Sequence, residues 1–244
     1  MAAKKIEMKT KYGNSFLNEE EIDIKVKGLK NTYKFIHISD LHIMGFDDND
    51  DDEAIKLAEA RAEFWRNQAG YMCNENTENE RKLYPIEVDE IVAERIRYHK
   101  PDKVFFTGDT VDYPSLTNLK LAKNYLKNLN SECILAPGNH DEVAEDASDE
   151  LKKLLDEITD GCSDFKLTKY DEFNIITIND GNVQITENQY QMIKEALNSD
   201  KKAIFLVHIP FYHPTQKDSV WKTWGYNWMI GEEQQSETNR KLLK

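Results

Sequence analysis

The sequence is poor in the residues that staple, link or anchor a chain. Only three of its 244 residues are cysteines. Cys73, Cys133 and Cys162 form no CxxC pair. That argues against a disulfide framework or a thiolate metal site, and reads as reduced thiols in a cytoplasmic protein. No stretch approaches the roughly 20 apolar residues of a membrane span, so no membrane association is expected. The start, MAAKKIEMKTKYG, is basic but lacks the apolar run of a secretory signal. Pro/Gly/Ser-rich linkers and internal repeats are absent too, so one domain is expected over 1–244. Positive charge is the other shortage: 32 Lys+Arg against 45 Asp+Glu leave a net charge of −13. Nonspecific binding of duplex nucleic acid needs a basic footprint, and this balance argues against one. An anionic substrate would need local positive charge, most simply from metal ions.

Material for a core is present, with 39% hydrophobic and 10% aromatic residues. EIDIKVK (21–27) alternates apolar and polar residues and predicts a strand, and YKFIHIS (33–39) predicts a second. From about 47 to 98 the pattern turns helical. Ile55, Ala58, Ala62 and Trp65 share one helix face, and Val88, Ile91, Val92 and Ile96 share another, with the polar GYMCNENTENERKLYP between them. Strands and helices then alternate. KVFFT (103–107) predicts a strand, and Leu116, Leu119, Ala122, Leu126 and Leu129 a helix. ECILA (132–136) is followed by a helix carrying Leu151, Leu154, Leu155 and Ile158. EFNIITI (172–178) is followed by a helix that Thr186 and Gln189 open as a capping box, and KAIFLV (202–207) closes the series. Short apolar strands separated by amphipathic helices describe an α/β fold.

The chemistry lies at the carboxyl ends of those strands. YKFIHIS runs into Asp40-Leu41-His42, KVFFT into Gly108-Asp109-Thr110-Val111-Asp112, ECILA into Pro137-Gly138-Asn139-His140-Asp141, and KAIFLV into His208. Ligands of open α/β folds bind outside such strand ends. Taken singly, each piece is ordinary: a Gly-Asp is a turn, a lone histidine a structural residue. Four such ends in one chain are hard to explain as independent turns. Carboxylate, amide oxygen and imidazole together suit a divalent ion such as Mn, Fe or Zn.

The set DLH, GDTVD, GNHD and a later His resembles the calcineurin-like metallophosphoesterase superfamily over roughly residues 33 to 215. The resemblance implies a four-layer α-β-β-α sandwich, two mixed sheets with helices outside, and the helical segment of about 47–98 as an insertion. It implies dinuclear hydrolysis of a phosphomonoester or phosphodiester substrate by a metal-activated hydroxide. Asp40 and His42 would bind the first ion, Asp109 both, and Asn139 and His208 the second. His140, oriented by Asp141, would face the scissile phosphate. Paired ions about 3.5–4 Å apart clamp the attacking and leaving oxygens, and coordination lowers a water pKa to about 7. The purple acid branch carries an iron-binding tyrosine where this chain has Asp112, so the resemblance points away from that branch.

The superfamily's final Gly-His-x-His is missing, and the last residues, SETNRKLLK, read as an uncapped nascent helix. The expectation is therefore a chain shortened at its C-terminus, lacking the last strands of the second sheet. The alternative reading is a catalytically impaired metal-binding or scaffold protein that keeps the fold. Other conspicuous residues have simpler readings. Asp47 to Glu53 lacks the spacing of a calcium loop and reads as a solvated acidic turn. His37, His99 and His213 read as structural or loop histidines. Trp221, Trp224, Tyr226, Trp228 and Met229 read as packing under a long loop.

Overall fold

The computed structural model describes residues 4–69, 82–216, 229–230 and 236–242. An N-terminal antiparallel hairpin, β1 (Lys4–Thr10) and β2 (Gly13–Glu19), leads into the first sheet. That sheet is parallel, in the order β3 (Phe35–Ile38), β4 (Lys103–Thr107), β5 (Glu132–Ala136). The second sheet has the order β6 (Phe165–Lys169), β7 (Phe173–Ile178), β8 (Lys202–Leu206), with β6 antiparallel and β8 parallel to β7. Helices α1 (Asp52–Ala69) and α2 (Pro85–His99) lie between β3 and β4 in the chain. Next come α3 (Leu116–Asn128), α4 (Asp149–Ile158), α5 (Glu187–Leu197) and α6 (Glu237–Leu242).

Period-two alternation sorts the side chains into layers. In the first sheet Val104 and Phe106 pair with Ile36 and Ile38 on one side and Cys133 and Leu135 on the other. These apolar side chains meet Ala93 and Ile96 of α2, Leu119 and Ala122 of α3 and Ile158 of α4. The opposite face presents Phe105 and Ala136, which pack against Phe173, Ile175 and Leu206 of the second sheet. Beyond that sheet, Ile176 and Ile178 pack under Ile193 and Ala196 of α5. Clusters therefore lie between the sheets and on both outer faces, giving helix, sheet, sheet, helix. The central strands β4 and β7 are buried at every position, which is why they read as continuous apolar runs.

One sequence expectation fails. Residues 21–27 form no strand, and Ile22, Ile24 and Val26 are exposed. Alternation supplies a face, but a strand also needs a neighbour to take its hydrogen bonds, and among the described residues this segment has none. Of the strands that do form nearby, β1 carries three lysines and a glutamate, and β2 a single glutamate. The hairpin gains apolar burial by packing Met8, Tyr12 and Leu17 on Leu83, Val88 and Ile91. Strand β6 is likewise hidden in the sequence by its two lysines. Most of the aromatic segment 221–229 lies outside the described residues, and so do Cys73 and most of the polar loop before α2. Met229 and Ile230 are described and are fully buried.

Candidate metal centre

The turns after β3 and β4 run side by side and are zipped through their backbones. Asp40 N donates to Gly108 O at 3.1 Å, His42 N to Asp109 O at 2.9 Å and Ile43 N to Thr110 O at 2.9 Å. This fixes the first motif against the second. It also forces Asp40, His42 and Asp109 into left-handed backbone, with φ of 57°, 50° and 52°. Asp and His tolerate that region better than most residues, yet three such positions within one site mark a chain bent to aim its side chains.

Glycines make the close approach possible. Gly108 has φ 85°, and a Cβ there would stand 2.3 Å from His208 Nδ1. A Cβ on Gly138 would stand 2.3 Å from Asp109 Oδ1. The third turn thus lies directly on Asp109, whose Oδ1 accepts the His140 amide at 2.9 Å.

Asp109 is the centre of the constellation. Ligand-capable atoms of His42, Asp109 and His140 lie within 4.8 Å of one another, and so do those of Asp40, Asp109 and His208. Asn139 Oδ1 sits 3.1 Å from His208 Nε2. These two groups cut across the ligand sets that the sequence motifs suggest, pairing Asp40 with His208 and His140 with His42. All five side chains gather about Asp109 without being divided between two ions. The donor set is hard carboxylate and amide oxygen plus borderline imidazole, and it fits a divalent ion of the Mn, Fe or Zn kind.

The histidines are held by their other nitrogens. His208 Nδ1 donates to Thr107 O at 2.9 Å, which directs Nε2 toward Asp109 Oδ1 at 3.4 Å. Burial opposes charge on His208, but the hydrogen bond and charge of Asp109 outweigh it and raise its pKa to about 9. Burial would also raise Asp109, yet His208 and the His140 amide hold its pKa down. A proton on His208 therefore balances Asp109, and an ion bound there would displace it. His140 Nδ1 donates to Asp112 O at 2.6 Å.

Asp141 differs from its expected role. Its carboxylate accepts the amides of Gly138 at 2.9 Å, Val111 at 2.9 Å and Thr110 at 3.2 Å. Burial raises its pKa against the pull of those amides. Asp141 ties the second and third turns together, and the carbonyl of Asp112 orients His140. The remaining histidines stay outside the constellation. His37 bonds Thr107 Oγ1 at 2.6 Å, His99 meets Glu19 at 3.2 Å, and His213 bonds Thr215 Oγ1 at 2.8 Å.

Three residues of the site have no signature in the motifs. Arg61 and Trp65 reach in from α1 to the Asp112 carboxylate. Asp180 accepts the His208 and Ile209 amides at 2.9 and 3.0 Å, and burial pushes its pKa up to about 7. Asp180 is within reach of sequence reasoning, because Asn179-Asp180-Gly181 follows β7 as the other motifs follow their strands.

A family model described as calcineurin-like phosphoesterase matches residues 33–234. No curated protein matches the chain. Among solved structures, a purple acid phosphatase isolated from yellow lupin (Lupinus luteus) seeds is similar at 13% identity with a TM-score of 0.47. The match covers 98% of this chain and 40% of that one, so the chain spans less than half of that protein's length.

Proposed function

The chain belongs to the calcineurin-like phosphoesterase family, and from that premise we propose that it hydrolyses a phosphomonoester or phosphodiester with two divalent ions, Mn, Fe or Zn. Asp40 and His42 would hold one ion, Asn139 and His208 the other, and Asp109 both. The observation that carries the two-ion reading is the membership of Asp109 in both groups of ligand atoms; the division of the other ligands follows the family motifs. When bound, such ions lower the pKa of a water and offset the charge that develops on the phosphate.

The chain's own residues supply the rest. The Thr107 carbonyl keeps the His208 proton on Nδ1 and so reserves Nε2 for an ion. The Asp112 carbonyl holds the Nδ1 proton of His140, so the imidazolium form would carry a second proton on Nε2 and could pass that one to the leaving oxygen. A general acid of this kind contributes about 10²–10⁴ in rate. Asp141 fixes the turn that carries Asn139 and His140. We place the protein in the cytoplasm, a reading supported by free, buried or half-buried Cys133 and Cys162. Among the described residues, no helix is long and apolar enough to cross a membrane.

The test is elemental analysis joined to turnover of an alkyl phosphodiester and an alkyl phosphomonoester. Bound divalent metal, hydrolysis lost to chelators, and loss of both in Asp109→Asn are expected. A wild-type chain that binds no divalent ion, or full activity in Asp109→Asn, overturns the proposal. Metal binding without hydrolysis of either ester selects the alternative, a metal-binding protein that keeps the fold.

A further inference from the structure

We propose that the inserted helix α1 orients His42: Arg61 and Trp65 clamp the Asp112 carboxylate, and that carboxylate keeps the His42 proton on Nδ1 and its lone pair on Nε2, facing Asp109. The geometry of the clamp is complete. Arg61 donates twice, Nε to Oδ2 at 2.6 Å and Nη2 to Oδ1 at 2.6 Å. Trp65 Nε1 donates to Oδ1 at 2.7 Å, and His42 Nδ1 lies 3.2 Å from the same oxygen. The Asp112 side chain is fully buried. An ionised carboxylate only accepts, so the imidazole nitrogen that meets it must carry the proton. The two-pronged Arg61 fork is the partner geometry of an ionised carboxylate.

The other atoms agree with this arrangement. His42 Nε2 stands 3.8 Å from Asp109 Oδ2. The Trp65 ring stacks on the His42 ring at 4.3 Å between centroids, 30° from parallel, which sets the imidazole plane. Arg61 and Trp65 are four residues apart on α1 and so share one face of the helix. Asp112 thereby orients two imidazoles, His42 through its carboxylate and His140 through its carbonyl. A bidentate arginine fork suits this task because it fixes direction as well as charge. A buried ion pair adds little net stability by itself, so the clamp's yield lies in positioning.

The inference rests on the metal reading only for its consequence, and its first test needs no metal. Full-length protein with ¹⁵N-labelled histidine, stripped by chelator, is studied by two-bond ¹⁵N–¹H correlation at a pH above the ordinary imidazole range. Wild-type His42 should show protonated Nδ1 and bare Nε2. Arg61→Ala with Trp65→Phe keeps an aromatic ring but removes three donors, and should give a mixed tautomer pattern at His42. Arg61→Lys alone should restore part of the wild-type pattern. Circular dichroism melts check that each variant is folded, and Trp65→Phe alone serves if the double variant is not. In Mn²⁺ titration calorimetry the double variant should bind about 10–100-fold more weakly, the usual cost of losing a partner behind a metal ligand. A wild-type His42 protonated on Nε2, or an unchanged tautomer in the folded double variant, overturns the inference. A wild-type protein that binds no Mn²⁺ yet shows the Nδ1 tautomer overturns the metal reading and leaves the clamp standing.

Discussion

Single side chains carry both the chemistry and some avoidable strain. Asp89 of α2 is wholly buried, its Oδ2 has no hydrogen-bond partner among the described residues, and burial pushes its pKa up. The hydroxyl of Tyr125 is buried and equally unpaired, and the charge of Asp89 reaches it. A carboxyl whose folded pKa is raised takes up protons on folding. Its penalty is absent below the unfolded value of about 3.9 and grows as pH rises through the folded one. Asp89→Asn should therefore raise the melting temperature at neutral pH, by about 2–4 °C per kcal/mol relieved, and change little near pH 4. Thermal melts across that range check it, and an equal shift at both pH values would refute it. Gly108→Ala should act in the opposite direction. It places a Cβ in left-handed backbone, at roughly 1–2 kcal/mol, and against the His208 ring. Metal affinity should fall with stability, which titration calorimetry and melts together measure.

Elements are held by local rules that the sequence states openly. Helix α5 opens on the expected capping box: Gln189 N donates to Thr186 Oγ1 at 3.1 Å, and Thr186 N to Gln189 Oε1 at 2.8 Å. Thr186→Ala should cost about 1 kcal/mol and lower the melting temperature by about 2–4 °C. Divalent-metal affinity should stay unchanged, because α5 covers the outer face of the second sheet, away from the turns. A change in affinity of tenfold or more would show that this face and the site are coupled. Helix α1 is the contrary case. Its apolar spacing predicts a helix and one forms, but nothing in that spacing says that Arg61 and Trp65 meet Asp112. Segment 21–27 shows the same limit from the other side. Its alternation is as regular as that of any strand in the chain, and it pairs with nothing among the described residues.

On the scale of the whole molecule, a chain with a net charge of −13 gathers several of its acids where cations can answer them. An ion that binds the folded site and not the unfolded chain adds about 2.7 kcal/mol at a hundred times its dissociation constant. Saturating Mn²⁺ or Zn²⁺ should then raise the melting temperature by about 5–10 °C. A chelator should remove the gain, and Asp109→Asn should abolish most of it. Scanning calorimetry with and without metal is the check, and an unshifted midpoint would mean that the constellation is not a folded-state metal site. The sequence by itself determined the α/β pattern, the strands 103–107 and 132–136, and the residues that end at the site. Apolar periodicity and strand-terminal Asp, Asn and His are local signals, readable without a partner. Tertiary structure alone decided how the four turns meet about Asp109, with Asp40 beside His208 and His42 beside His140. It also turned Asp141 to the amides instead of to His140, gave Asp112 two imidazoles to hold, and brought α1 from 51 residues upstream to clamp it. Those outcomes depend on which carboxylate finds which donor across the fold, and no spacing along the chain encodes that.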